Sequence, residues 1–208
     1  MSPDLLSLDD VGRILAAAPP EISGAERDFR AAVALMLREG GRGLEMLFIE
    51  RAVHDGDPWS GNLGFPGGKV DEDDRDMRAT AERETLEEIG VDLGNARRLG
   101  RLSDLVTTTL PVLVSCFVYG VERPLPLSLG GEVREAFWVP IETLCDPARH
   151  AITTVSFRGR TAPFPAIRLL PPERPVLWGL TYRLVLQFFQ VVGVELGFET
   201  DEPDFDRR

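Results

Sequence analysis

Gly67-Gly-Lys-Val-Asp-Glu-Asp-Asp-Arg75, followed by Arg83-Glu-Thr-Leu-Glu-Glu-Ile-Gly-Val91, is the stretch from which the rest of the chain can be read. Its second part predicts a helix over Met77–Ile89, closed by Gly90, the residue type that most readily ends a helix in a left-handed conformation. On a wheel of about 100° per residue, Glu88 lies roughly +40° and Glu87 roughly −60° from Glu84, so three carboxylates share one face. Leu86, Ile89 and Ala79 fall on the opposite side and are expected to face a core. Glu82 falls in that apolar arc too, and the spacing gives no reason for it.

Three carboxylates so close repel one another unless a cation lies among them. Arg83 relieves part of this, but it points about 100° away from Glu84. An oxygen-preferring divalent ion, Mg2+ or Mn2+, would answer the repulsion, and Gly67-Gly68 would let a backbone carbonyl approach it. A solvated acidic helix face satisfies the same spacing, and both readings stay open on spacing alone.

Working outward, Ser7 and Asp10 form a capping-box pattern ahead of Val11, Ile14 and Leu15, which predicts an N-terminal helix ended by Ala18-Pro-Pro20. Ala31–Leu37 and Leu44–Ile49 read as strands joined by a hairpin through Glu39–Gly43, and His54–Gly68 as a loop. Further strands are expected at Leu99–Leu105, Val112–Val121, Ala136–Val139, Ile152–Phe157 and Thr161–Phe164, with Arg158-Gly159 turning between the last two. Ile141–Leu144 reads as a short helix and Val176–Val192 as a longer one. The alternation of strands and helices favours an α+β fold with a mixed sheet. Residues 1–28 are expected to be a helical extension, 29–195 the main domain and 196–208 a polar tail.

The chain has 208 residues, 43% hydrophobic and 27% charged, ordinary values for a soluble globular protein. Its 23 Lys+Arg against 34 Asp+Glu leave a net charge of −11, which argues against a nucleic-acid partner. Apolar runs around Val112–Val118 and Val191–Val194 are too short to span a bilayer, so no membrane partner is expected. The opening residues carry no signal-peptide pattern, and Cys116 and Cys145 form neither a disulfide framework nor a metal spacing, which points to a reducing cytoplasm.

Taken together, the motif resembles the signature of the Nudix hydrolases: glycine, five residues, glutamate, seven residues, then Arg-Glu-apolar-x-Glu-Glu-x-Gly-apolar. Arg83, Glu84, Glu87, Glu88, Gly90 and Val91 match, with Thr85 at the first apolar position. The Gly68 to Arg83 spacing is one residue longer than usual, and Asp73 or Asp74 stands in for the early glutamate. Phe65-Pro-Gly-Gly-Lys-Val-Asp71 with Asp74 is similar to the lead-in of the coenzyme A diphosphatase branch, as are Glu132–Pro140 and Trp178-Gly-Leu-Thr181. The upstream element of that branch is only partly present: Arg51 matches its arginine, Ala52 replaces its serine, and Glu50 precedes.

The resemblance implies a Nudix-like mixed β-sheet sandwiched between helices. It also implies metal-dependent hydrolysis of the pyrophosphate bond in a nucleotide-type small molecule, coenzyme A or a derivative foremost, giving 3′,5′-ADP and 4′-phosphopantetheine. Alternatives are nucleotide sugars, dinucleotides or nucleoside triphosphates, and, from another class, a ligand-binding module without turnover. By the same resemblance Glu84, Glu87 and Glu88, with the Gly68 carbonyl, are the metal ligands, and either Glu84 or Glu132 is the general base. Arg83 would orient a glutamate through a bidentate contact, and Arg51 and Lys69 are candidate contacts to a substrate phosphate. His54 is expected to be solvated and Cys116 to be core, while Trp59 either stacks on a base or covers the loop. Trp178, Tyr182, Leu186 and Phe189 recur at helical spacing and suit a core, or the contact of a possible homodimer.

Overall fold

Strand β1 (Phe29–Gly40) is the axis of the fold, because both of its edges are paired along much of its length. The computed structural model describes residues 6–25, 27, 29–54, 59–107, 111–122, 126–157, 160–194 and 196. On one edge, β1 runs antiparallel to β2 (Gly43–Arg51) in a hairpin and, nearer its start, antiparallel to β4 (Gly67–Lys69). On the other it runs parallel to β7 (Val112–Val121). β3 (Leu63–Gly64) and β8 (Val133–Pro140) extend the sheet from β2, while β5 (Arg97–Arg101) and β6 (Leu105–Val106) pair with β7.

Alternation along β1 sends its side chains to two cores. Leu35 and Leu37 join a cluster that includes Val11 and Leu15 of helix α1 (Leu8–Ala17), Ile141 and Leu144 of α3 (Ile141–Cys145), and Val185 and Phe188 of α4 (Gly179–Val192). Ala32, Ala34 and Met36 join the other, against Ala81 and Ile89 of α2 (Met77–Ile89). The sheet is thus sandwiched between helices, as the resemblance implies. The capping box of α1 is present, with Ser7 Oγ accepting from the Asp10 backbone at 3.1 Å and Asp10 from the Ser7 backbone at 3.2 Å.

Several expectations need correction. β9 (His150–Phe157) and β10 (Arg160–Ile167) belong not to the main sheet but to a second one, completed by β11 (Leu177–Trp178). The strand expected over Leu99–Leu105 is divided into β5 and β6. The last helix begins at Gly179 because β11 claims the two residues before it, and the loop before Gly68 contains β3 and part of β4. The α2 span is as predicted and Ile89 is buried as expected, but Leu86 is 51% exposed and the buried face also takes in Thr80, Thr85 and Glu88. Thr85 fits there because its hydroxyl donates to the Ala81 carbonyl at 2.6 Å. Glu82 is explained by a partner from the sheet, the Tyr119 hydroxyl, which donates to it at 3.0 Å. The turn at 158–159 and the tail beyond 196 lie outside the described residues.

Gly67 is the tightest point of the sheet. Its φ is +148°, and a Cβ there would stand 2.3 Å from the Ala32 carbonyl oxygen and 2.6 Å from Val33 Cα. Gly67→Ala is therefore expected to cost on the order of 3 kcal/mol, read from the urea midpoint. Gly131→Ala, where a Cβ meets nothing within 4 Å, is expected to stay within about 0.5 kcal/mol.

Candidate active site

Helix α2 starts on the Asp76 side chain, which accepts the Ala79 N–H at 2.8 Å, and ends at Gly90 in the left-handed conformation. Between these caps the signature carboxylates are shared by two guanidiniums. Arg83 grips Asp74 with Nε and Nη2, at 3.0 and 2.9 Å, in a bidentate contact. Its Nη1 donates to Glu84 at 2.9 Å and to Glu87 at 3.2 Å. Asp74 also accepts from the Thr80 hydroxyl and the Asp71 backbone, and the Arg83 guanidinium foremost holds its carboxyl well below the usual range. Of the two aspartates that could stand in for the early glutamate, Asp74 is the one that pairs with Arg83, and Asp73 is exposed.

Glu88 is only 3% exposed. One of its oxygens accepts the Gly67 N–H at 2.9 Å and the other accepts Arg51 Nη1 at 3.1 Å. Burial pushes its carboxyl up to about 7; the Gly67 N–H and Arg51 oppose that rise, and Glu84 and Glu132 add to it. Glu84 is also raised, again first by burial, with Arg83 opposing. A Cβ on Gly68 would stand 2.4 Å from the Glu84 carboxyl carbon, so that carboxylate rests directly on the Gly68 backbone.

Glu84 and Gly68 border a cavity of about 590 Å³. Gly68, Lys69, Glu84, Glu87, Glu132 and Arg51 supply its polar lining. Its apolar lining includes Trp59, Val112, Trp178, Leu180 and Leu184. Trp178 was expected in a core or a dimer contact; instead it lines the cavity, held by an Nε1–H bond to Asn62 Oδ1 at 3.0 Å. The Trp178-Gly-Leu-Thr181 segment was the available signal for this wall, and nothing in the sequence marked Asn62. Tyr182 and Phe189 are buried and Leu186 packs partly on the core, as the helical spacing implied. Trp59 lines the cavity, and Cys116 is core, its thiol pushed up to about 12 by burial. His54 is exposed, with Nε2 3.3 Å from the Gly131 carbonyl oxygen.

The donor chemistry suits a hard divalent ion. Glu84 and Glu87 face the cavity, and the Glu84 carboxylate takes the space that a side chain on Gly68 would fill, next to the Gly68 backbone. Glu88 is not among the lining residues; it sits behind them on Arg51 and Gly67. Among the described residues, no three His, Cys, Asp or Glu side chains stand in ligating geometry. Arg83 holds Glu84 and Glu87, whereas Arg51 holds Glu88 at 3.1 Å and Glu132 at 3.6 Å. The sequence-predicted residues are thus brought to one place, with the chain's own cations among them. Arg51 is a carboxylate partner in this arrangement; Lys69 is exposed at the lining, its Nζ 5.9 Å from the Phe29 ring centre.

A fold with α2 packed on a mixed sheet, carrying this Arg-Glu-x-x-Glu-Glu face beside a Gly-Gly strand, defines the class. Residues 28–157 match the NUDIX domain, and the chain belongs to that family. It is similar to human mitochondrial coenzyme A diphosphatase NUDT8, 31% identical over 191 residues, covering 87% of this chain and 77% of that protein. It is also similar to the Caenorhabditis elegans peroxisomal coenzyme A diphosphatase ndx-8, 31% identical over 159 residues, covering 69% and 62%. The chain spans about half the length of other curated relatives it matches, 55% of a Schizosaccharomyces pombe protein and 40% of Nudix hydrolase 15 of Arabidopsis thaliana. A MutT/nudix family protein from Enterococcus faecalis shares the fold, with TM-score 0.56 and 15% identity, covering 93% of this chain and 77% of that one. No described helix is long and apolar enough to cross a membrane.

Two outcomes follow from the charges. Asp74→Asn breaks the nearly buried grip on Arg83 and is expected to cost about 2–3 kcal/mol in chemical denaturation at pH 7, against less than about 0.5 for Asp73→Asn. Glu88 favours its protonated form in the fold, so its contribution to stability is full below the ordinary carboxylate pKa and lost as pH rises through about 7. The metal-free chain should therefore melt lower at pH 8 than at pH 5 in calorimetry. Added Mg2+ should raise the melting temperature more at pH 8, because it favours the ionised carboxylates.

Proposed function

We propose that the chain hydrolyses the pyrophosphate bond of a nucleoside diphosphate derivative with the help of a divalent metal, and that coenzyme A or a derivative is its leading substrate. The observation that carries this is one cavity with Glu84, Glu87 and Glu132 on its wall beside an aromatic and aliphatic lining. That combination suits a molecule with a charged pyrophosphate between two less polar arms. The similarity to two proteins named as coenzyme A diphosphatases supports the choice of arm. The reduced cysteines Cys116 and Cys145 suit a reducing compartment, the cytoplasm in this proposal.

Nudix hydrolases generally use Mg2+ or Mn2+, and such an ion, when bound, neutralises the non-bridging oxygens and acidifies a water. Glu84, Glu87 and the Gly68 carbonyl would hold it at the cavity wall, with Glu88 behind them. Arg83 fixes two of these glutamates relative to Asp74, so the carboxylates need little reorganisation when the substrate arrives. Glu132 comes from outside α2, lines the same cavity and is 67% exposed. It accepts the proton of the attacking water, leaving the α2 carboxylates to the ion. Lys69, exposed at the lining, meets the additional phosphate of the nucleotide.

The test is incubation of the purified chain with Mg2+ or Mn2+ and coenzyme A, ADP-ribose, a dinucleotide or a nucleoside triphosphate, with products separated by chromatography. Metal-dependent release of 3′,5′-ADP from coenzyme A is expected. Glu87→Gln should lower metal affinity and turnover together, whereas Glu132→Gln should lower kcat by about 100-fold with metal affinity kept. Cleavage of another panel member alone would discard coenzyme A, and metal binding without any turnover would leave a binding module.

A further inference from the structure

Arg51 occupies an unusual position for a substrate contact. It lies at the end of β2, lines the cavity, and yet spends its guanidinium on carboxylates: Nη1 is 3.1 Å from Glu88 and Nη2 is 3.6 Å from Glu132. Glu88 lies 37 residues away on α2, and its other oxygen is taken by the Gly67 N–H at 2.9 Å. Around this point five carboxylates, Asp74, Glu84, Glu87, Glu88 and Glu132, meet two guanidiniums, Arg83 and Arg51. The two cations are not equivalent. Arg83 is locked bidentately onto Asp74, with a further bond to the Lys69 carbonyl. Arg51 has an exposed partner in Glu132, and its side chain is 24% exposed beside the cavity.

We propose that Arg51 is an internal counter-cation that competes with the divalent ion for Glu88 and turns its guanidinium away from Glu88 and Glu132 to the substrate's phosphates once the ion engages Glu88. The inference rests on the metal-dependent reading above. Its physical basis is charge balance. A guanidinium and a divalent ion on the same buried carboxylate repel, so each weakens the other's hold, and that coupling is reciprocal. In the metal-free chain Arg51 offsets the charge on the buried Glu88. Near an anionic substrate, the released guanidinium finds phosphate oxygens that suit its planar fork. Arg51 would thus serve as a positioning residue in one state and a phosphate contact in the other, which reconciles its sequence-based role with where it lies.

The two roles predict effects of opposite sign in one variant. In Arg51→Met, Mn2+ affinity measured by calorimetry without substrate should rise about tenfold, the scale typical of groups next to metal ligands. In saturating Mg2+, the same variant should bind methylenediphosphonate, a non-hydrolysable pyrophosphate analogue, about tenfold more weakly, with Arg51→Lys between it and the parent in both. A merely structural arginine would lower both affinities together, and unchanged or weaker Mn2+ binding overturns the proposal. Should Arg51→Met fail to fold, the guanidinium NMR signal of the intact chain serves instead. Assigned by its loss in Arg51→Lys, it should shift on Mg2+ titration, and an unmoved signal at saturation overturns the proposal. Raised Mn2+ affinity in Arg51→Met without turnover of any pyrophosphate by the parent chain would sink the proposed function alone. Turnover with Mn2+ affinity unaffected by Arg51→Met would sink this inference alone.

Discussion

Mutual repulsion of carboxylates gathered at one face of α2 is the constraint around which the chain is arranged. Left to themselves, Glu84, Glu87 and Glu88 would destabilise the helix that carries them. Two guanidiniums prevent this from different directions: Arg83 from within the helix, braced on Asp74, and Arg51 from the sheet. The backbone contributes as well, since the Gly67 N–H donates to Glu88 and the Gly68 backbone lies against the Glu84 carboxylate. Acidity at this site is therefore concentrated but restrained, which is what a cation-dependent phosphate chemistry requires.

The sheet converts that local balance into a cavity. β1 pairs with β4 near its start and with β2 nearer its end, so the Gly-Gly strand is held at a fixed height above α2. A glycine is needed at position 67 because the β1 backbone leaves no room for a side chain there. The same β1–β7 surface contributes Ala31, Val33, Val112 and Val114 to the cavity, so charged and apolar linings share one rigid base. The second sheet then brings Trp178 to the wall, with Phe164 and Phe157 behind its ring at 5.1 and 5.7 Å between centroids.

What was legible in the sequence follows how far each interaction reaches. The span of α2, its Gly90 end and the capping box of α1 depend on neighbours within a few residues, and all three could be read directly. The buried face of α2 could be read only in part, because Ile89 and Ala81 share it with polar residues. Glu88 is buried because Gly67 and Arg51 satisfy it, Thr80 because Asp74 does, and Leu86 is left outside. Hydrophobic periodicity carries no information about such partners, which come from other strands and loops. The departure at Asp73-Asp74 was visible as an ambiguity, and the pairing of Asp74 with Arg83 could be seen only in the structure. The second sheet was missed for a similar reason: a strand's sequence does not state which sheet it joins.

The placement of Arg51 shows how a long-range choice is nevertheless forced. Along β2, Leu44, Met46 and Phe48 enter the α1–α4 core while Leu47 and Ile49 enter the α2 core. Glu50 continues the first series and is 2% exposed, an expensive position for a carboxylate without partners. It is satisfied there by Arg134 at 2.7 Å and by Arg174, whose Nε is 3.0 Å away and which also reaches Glu135. With Glu50 fixed on that face, strand alternation turns the next side chain toward α2, even though the β2–β8 register shifts at this pair. The departure from the branch pattern at Glu50 and the match at Arg51 are therefore linked. A carboxylate anchored on one side of the strand is what aims the guanidinium at Glu88 on the other.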